Sequence, residues 1–90
     1  GRKKRFIKIY GNRINLDETE RLLKDIISDC ACIGEDDHMR VFINDENRID
    51  EIKKFISSKI GLHHSTFTIR SIDEIPKNSS GKTIYSSLNI

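Results

Sequence analysis

Five side chains, Thr19, Leu22, Leu23, Ile26 and Ile27, constrain this chain more than any others. They fall at i, i+3, i+4, i+7 and i+8, so a helix through them gathers one apolar face that must be buried. Asn15 stands where an N-cap belongs, and Glu18, three residues on, completes a capping-box pattern. Asp17, Glu18 and Glu20 crowd the first turn, where the helix dipole favours carboxylates. A second stripe, Ile49, Ile52, Phe55, Ile56 and Ile60, predicts another helix over 49–60, with Gly61 as its stop.

Around the helices the pattern changes to strands. Phe6, Ile7, Ile9 and Ile14, with Tyr10-Gly11-Asn12 between them, predict two short strands and a tight turn. Gly11 and Asn12 are the residues expected to supply its positive φ. Residues 31–34 and 39–44 read as two strands separated by the solvated loop Glu35-Asp36-Asp37-His38. Residues 66–72 read as a further strand and 84–88 as a short terminal helix. The order β-β-α-β-β-α-β describes an α+β domain: a small three-stranded sheet plus a β-hairpin, packed by two to three helices that cover one side of the sheet.

Ninety residues make one domain with a thin stability margin. Hydrophobic residues are 36% and charged residues 33%, which with clear periodicity excludes disorder. No apolar run approaches the length of a membrane span or a signal-peptide core. The net charge of +2 hides an asymmetry: residues 1–13 carry six basic side chains and no acid, leaving ten basic and fourteen acidic residues behind them. Such an arm can meet phosphate. Its cations alternate with Phe6 and Tyr10, so a nucleic-acid-binding module is an alternative, weighed down by the acid-rich remainder. Cys30 and Cys32 have no second pair to complete a zinc site. They read as small, partly buried hydrophobes, no metal is expected, and a reducing, cytoplasmic setting is the simplest.

Two segments carry patterns that point to chemistry. Near the end runs Ile75-Pro76-Lys77-Asn78-Ser79-Ser80-Gly81-Lys82-Thr83, in which Lys82 follows a small, flexible stretch and can present one cation to a phosphate. At the start runs Gly1-Arg2-Lys3-Lys4-Arg5-Phe6-Ile7-Lys8-Ile9-Tyr10-Gly11-Asn12-Arg13-Ile14. Taken singly, a solvated loop lysine and a solvated arm are the readier accounts of them. Together, in this order, they resemble the two signature motifs of the C-terminal domain of the AMP-forming, adenylate-forming ligase superfamily. That superfamily includes acyl-CoA synthetases, adenylation domains of peptide synthetases, D-alanine–carrier protein ligases and luciferases. The first motif resembles Gly-Arg-x-(Asp/Lys)-x-x-Ile-Lys-x-x-Gly-x-Arg-Ile followed by a Glu-x-Glu helix start. It is matched by Gly1, Arg2, Lys4, Ile7, Lys8, Gly11, Arg13 and Ile14, then Glu18 and Glu20. The second resembles Pro-(Lys/Arg)-x-x-x-Gly-Lys, matched by Pro76, Lys77, Gly81 and Lys82. The resemblance covers the whole chain.

The resemblance implies that residues 1–90 are a mobile lid domain with its hinge at about residue 4, the large N-terminal domain being absent. A start at Gly1, inside a motif, carries the same expectation of a piece of a larger protein. In such ligases a carboxylate reacts with ATP to give an acyl-adenylate and pyrophosphate, and a thiol then displaces AMP. The small domain rotates between the steps. The resemblance makes Lys82 the catalytic lysine of adenylation, Arg2 a nucleotide contact and Lys4 the hinge. Lys8, Gly11 and Arg13 would face the pantetheine during thioester formation. Pro76, Ser80 and Gly81 would support the lysine loop, with Ser79, Ser80 and Gly81 giving it freedom to insert and withdraw. ATP with Mg2+, held mainly by the N-terminal domain, and coenzyme A or phosphopantetheine are the implied cofactors. The implied partners are that N-terminal domain, a carboxylate substrate, and coenzyme A or an acyl or peptidyl carrier protein, with no nucleic acid. The full-length protein is expected to be an enzyme and the isolated domain inactive.

The chain departs from the family pattern in places. Lys3-Lys4-Arg5 is more basic than usual, Thr19 interrupts the usual Glu-Ile-Glu, and Thr83-Ile84-Tyr85-Ser86-Ser87 follows Lys82 where basic residues are common. A non-catalytic remnant that binds partners is the other alternative, and the intact Lys82 motif speaks against it.

Overall fold

A computed structural model of the chain describes residues 5–35 and 37–88. The chain enters as a hairpin in which β1 (Phe6–Ile9) pairs antiparallel with β2 (Asn12–Asn15), Ile9 lying opposite Asn12. The turn holds two residues, Tyr10 (φ 49) and Gly11 (φ 86), both left-handed as the I′ geometry requires. The partner of Gly11 in this turn is therefore Tyr10. Asn12, the residue expected from sequence, already belongs to the ladder. Strand alternation buries Ile7, Ile9 and Ile14 and turns Lys8 and Arg13 outward as a cross-strand pair.

Asn15 caps α1 (Leu16–Leu23), its Oδ1 accepting the Glu18 N–H at 3.0 Å. The regular helix is shorter than the apolar stripe. It stops at Leu23, after which the N–H groups of Ile26 and Ile27 both donate to the Leu23 carbonyl, at 2.9 and 3.0 Å. That turn keeps Ile27 in the core while the chain swings towards the sheet. Glu20 also departs from expectation. It is not a solvated first-turn acid but a buried one, 7% exposed.

β3 (Cys30–Glu35) and β4 (His38–Ile43) pair antiparallel, and β5 (Phe67–Ser71) pairs parallel to β4, giving the order β3-β4-β5. A parallel pair needs a crossover. It is supplied by α2 (Ile49–Phe55), which continues as a π-helical turn over Ile56–Ile60 up to Gly61. One sheet face, through Cys30, Cys32, Met39, Val41 and Ile43, packs with the inner side of the hairpin, α1 and α2. The other face is sealed by the C-terminal segment, where Ile75 and Leu88 cover Ala31 and Phe42, and the chain closes in a 3-10 turn over Tyr85–Leu88. Among the described residues, no helix is long and apolar enough to cross a membrane.

Both thiols are free and fully buried. Burial pushes the Cys30 thiol up to about 12, with the Glu20 carboxylate adding to the shift, and holds Cys32 well above its usual value. Because the unfolded thiols ionise near ~8.5, above that pH the unfolded state holds fewer protons than the folded one. Stability therefore falls as pH rises from about 9 towards 12. The melting temperature is expected to decline over that range, and iodoacetamide at pH 8 to label neither cysteine without denaturant. Rapid native labelling at pH 8 would contradict the full burial of both thiols.

Candidate functional site

The lysine loop grows from a buried anchor, Ile75. Pro76 follows, its carbonyl accepting the Ile84 N–H at 2.9 Å, and an antiparallel bridge joins Lys77 to Thr83. Between these legs Asn78 organises the turn. Its N–H donates to the Lys82 carbonyl at 2.9 Å, and its carbonyl accepts the Gly81 N–H at 3.0 Å. Its side-chain Oδ1 accepts the N–H groups of Ser80 at 2.9 Å and Lys82 at 3.0 Å. Gly81 sits at φ 81, a conformation that an L side chain rarely adopts. The loop is thus not the loose run that Ser79-Ser80-Gly81 suggests, because one asparagine ties its backbone on both sides of Gly81. Asparagine beside serines and a glycine is a turn signal in its own right.

The two lysines of the loop differ. The Lys77 ammonium donates to Asp29 Oδ1 at 3.0 Å, just before β3. Lys82 is exposed and has no ion pair among the described residues. Between this loop and α1 opens a cleft of about 470 Å³ lined by Arg5, Glu20, Lys24, Lys77, Lys82 and Tyr85.

The cleft floor is a closed cluster of charge. Arg5 donates to Glu20 Oε2 at 2.7 Å, to Asp17 Oδ1 at 2.6 Å through Nη2 and 2.9 Å through Nε, and to the Cys32 carbonyl at 2.8 Å. It also donates to the Tyr85 hydroxyl at 2.9 Å, and its guanidinium lies 3.8 Å over the Tyr85 ring. That hydroxyl donates in turn to Glu20, 3.0 and 2.9 Å from its two oxygens. The Cys32 N–H donates to Glu20 Oε2 at 2.9 Å. Burial works against the Arg5 charge, but its hydrogen bonds to the Glu20 and Asp17 carboxylates outweigh it and raise the guanidinium further. Burial, then the Glu20 carboxylate, pushes the Tyr85 phenol up, so it remains a donor. Among the described residues no buried side-chain N or O atom is left unpaired. Sequence alone marked Arg5 as one cation of a basic arm and did not single out Tyr85 or Asp29.

The second set of expected site residues lies on the hairpin. Lys8 and Arg13 face each other across β1 and β2, and Arg13 stands 3.9 Å over the Phe6 ring. Gly11 is at the tip beside Tyr10, which is 73% exposed. The tip is held by Asp37, whose N–H donates to the Lys8 carbonyl at 2.6 Å and whose Oδ1 accepts the Tyr10 N–H at 2.9 Å. Asp37, expected as part of a solvated loop, is therefore a brace. The lysine loop is tied to Asp29, before β3, and the hairpin tip to Asp37, after it. A six-residue strand separates them, about 20 Å at ~3.3 Å per residue. Arg2 and Lys4, the expected nucleotide contact and hinge, lie outside the described residues. Among the described residues no cluster of His, Cys, Asp and Glu could hold a metal ion.

No protein-family model matches the chain, and no curated protein matches it either. Among solved structures, the crystal structure of a Brucella canis acyl-CoA synthetase is similar, with a TM-score of 0.76 and 22% sequence identity. The likeness covers 98% of this chain and 19% of that one, so the chain spans about a fifth of the synthetase's length. The fold of this small α+β domain is thus one that the Brucella canis acyl-CoA synthetase also contains.

Proposed function

We propose that the chain is the C-terminal domain of an AMP-forming carboxylate ligase. The observation that carries this reading is how Lys82 is presented: an exposed ammonium with no ion pair among the described residues, on a hydrogen-bonded loop whose other lysine is neutralised by Asp29. The likeness to an acyl-CoA synthetase across nearly the whole chain supports it. In the first step a carboxylate oxygen bonds to the α-phosphorus of ATP, the bond to the β-phosphate oxygen breaks, and pyrophosphate leaves. Lys82 would neutralise negative charge that builds on the oxygens around that phosphorus. The donors at this loop are cationic and suit phosphate oxygens. Mg2+ and most of the ATP contacts would belong to the larger domain.

In the second step a thiol sulfur bonds to the acyl carbon, the acyl–phosphate oxygen bond breaks, AMP leaves, and the thiol proton passes to a base or to solvent. Lys8, Gly11 and Arg13 at the hairpin tip would face the pantetheine of coenzyme A or of a carrier protein. Placing the two sets at opposite ends of β3 suits a domain that offers one end to each step by turning at about residue 4. The nucleic-acid alternative draws less support, because Arg5 is spent on Asp17, Glu20 and Tyr85.

The test is carboxylate-dependent ATP–pyrophosphate exchange by the full-length protein across fatty, aryl and amino acids. Exchange stimulated by one class is the expected result and names the substrate. Absence of exchange with every class would count against the ligase reading and favour a non-catalytic remnant.

A further inference from the structure

Two of the places where this sequence leaves the family pattern, Arg5 and Tyr85, touch each other. They are 80 positions apart, yet the Arg5 guanidinium donates to the Tyr85 hydroxyl at 2.9 Å and covers its ring. Arg5 directly follows the position where the ligase reading puts the hinge, and Tyr85 closes the outgoing leg of the lysine loop. Glu20 joins them and is itself held by the Cys32 N–H in the sheet. The incoming leg of the loop is pinned separately, by Lys77 on Asp29.

We propose that the Arg5–Glu20–Tyr85 cluster couples the hinge end of the chain to the lysine loop, with Tyr85 a positioning residue that makes Lys82 turn as one body with residue 5. This rests on the ligase reading. A rotation at the hinge delivers Lys82 to a phosphate only as accurately as the matter between them is stiff. A loop free at its outgoing leg would arrive with a spread of positions, and misplacement of about 1 Å can cost on the order of 100-fold. The Ile84 N–H on Pro76 and the Lys77–Thr83 bridge hold the outgoing leg only to the incoming one, and the cluster adds a tie from it to residue 5, α1 and β3 through one carboxylate. The hairpin tip does not pass through it, being braced by Asp37.

Tyr85→Phe separates positioning from stability. The ring stays under Arg5, and Glu20 Oε2 keeps Arg5 and the Cys32 N–H, while Glu20 Oε1 loses the Tyr85 hydroxyl and faces the cleft, where water can replace it. The variant is made in the full-length protein beside Lys82→Ala, with three readouts. Amide exchange of the peptide spanning 76–84 is expected to quicken severalfold. Adenylation kcat is expected to fall about tenfold at unchanged carboxylate KM, a misplacement effect. Thioester formation from supplied acyl-adenylate is expected to keep its rate. Unchanged protection of 76–84 would overturn the proposal, as would equal slowing of both half-reactions. If the wild type shows no exchange with any acid, the ligase reading and the hinge coupling fall together. Amide protection then still decides whether Tyr85 pins the loop.

Discussion

Replacing Lys82 with alanine is expected to abolish carboxylate-dependent ATP–pyrophosphate exchange by the full-length protein while sparing thiol transfer from a supplied acyl-adenylate. Losing one preorganised donor to developing charge costs about 3–4 kcal/mol, on the order of 100- to 1,000-fold in rate. The loss should fall on kcat, because in the proposed role Lys82 would meet charge that grows only as the new bond forms. The loop itself should survive the change. Its hydrogen bonds run through the backbone of residue 82 and the side chain of Asn78, and the Lys82 side chain is exposed. Lys82→Arg keeps the charge but carries it on a planar fork of different reach, so partial activity is expected. Exchange untouched by the alanine variant would make Lys82 an ordinary loop lysine. Equal loss in both half-reactions would instead overturn the proposed division of labour between the two ends of β3.

The parts of this architecture that sequence displays are those governed by local periodicity and local turn chemistry. Asn15 announces the start of α1 because a cap and its helix are neighbours, and the α2 stripe and its Gly61 stop are visible for the same reason. The lysine and hairpin motifs are short and contiguous, so their residues arrive together on one loop and one turn. What escaped was decided by distant partners. Glu20 reads in the sequence as one more acid near a helix start, and only the approach of Arg5, Cys32 and Tyr85 makes it a buried hub. Asp37 passes for a loop acid until the hairpin tip is folded against it. Ile26 and Ile27 continue a helical period, yet the chain must turn there to enter β3, and tertiary packing keeps Ile27 buried without a regular helix. Periodicity reports which side chains are inside, and does so more faithfully than it reports where a helix ends.

Glu20→Ala is expected to destabilise the domain by about 3 kcal/mol, far more than removal of the exposed acid Asp17. The removed carboxylate accepts from Arg5, Tyr85 and the Cys32 N–H, and a buried N–H left without a partner costs about 1–3 kcal/mol alone. Arg5 softens the loss, since it keeps Asp17 and its side chain is 26% exposed. A domain of this size has on the order of 5–15 kcal/mol to lose. At ~4–8 °C per kcal/mol, the melting temperature should drop by roughly 12–24 °C. Asp17→Ala is the control. Asp17 meets the same guanidinium, but its side chain is 55% exposed, so water replaces it and the cost should stay below about 1 kcal/mol. Thermal unfolding of the two variants side by side decides the matter. Equal melting temperatures would mean that Glu20 is as replaceable as a surface acid. A wide gap would mean that the helix start, the sheet and the lysine loop share one buried acceptor, so the charge that the α1 dipole tolerates is kept for what it holds together.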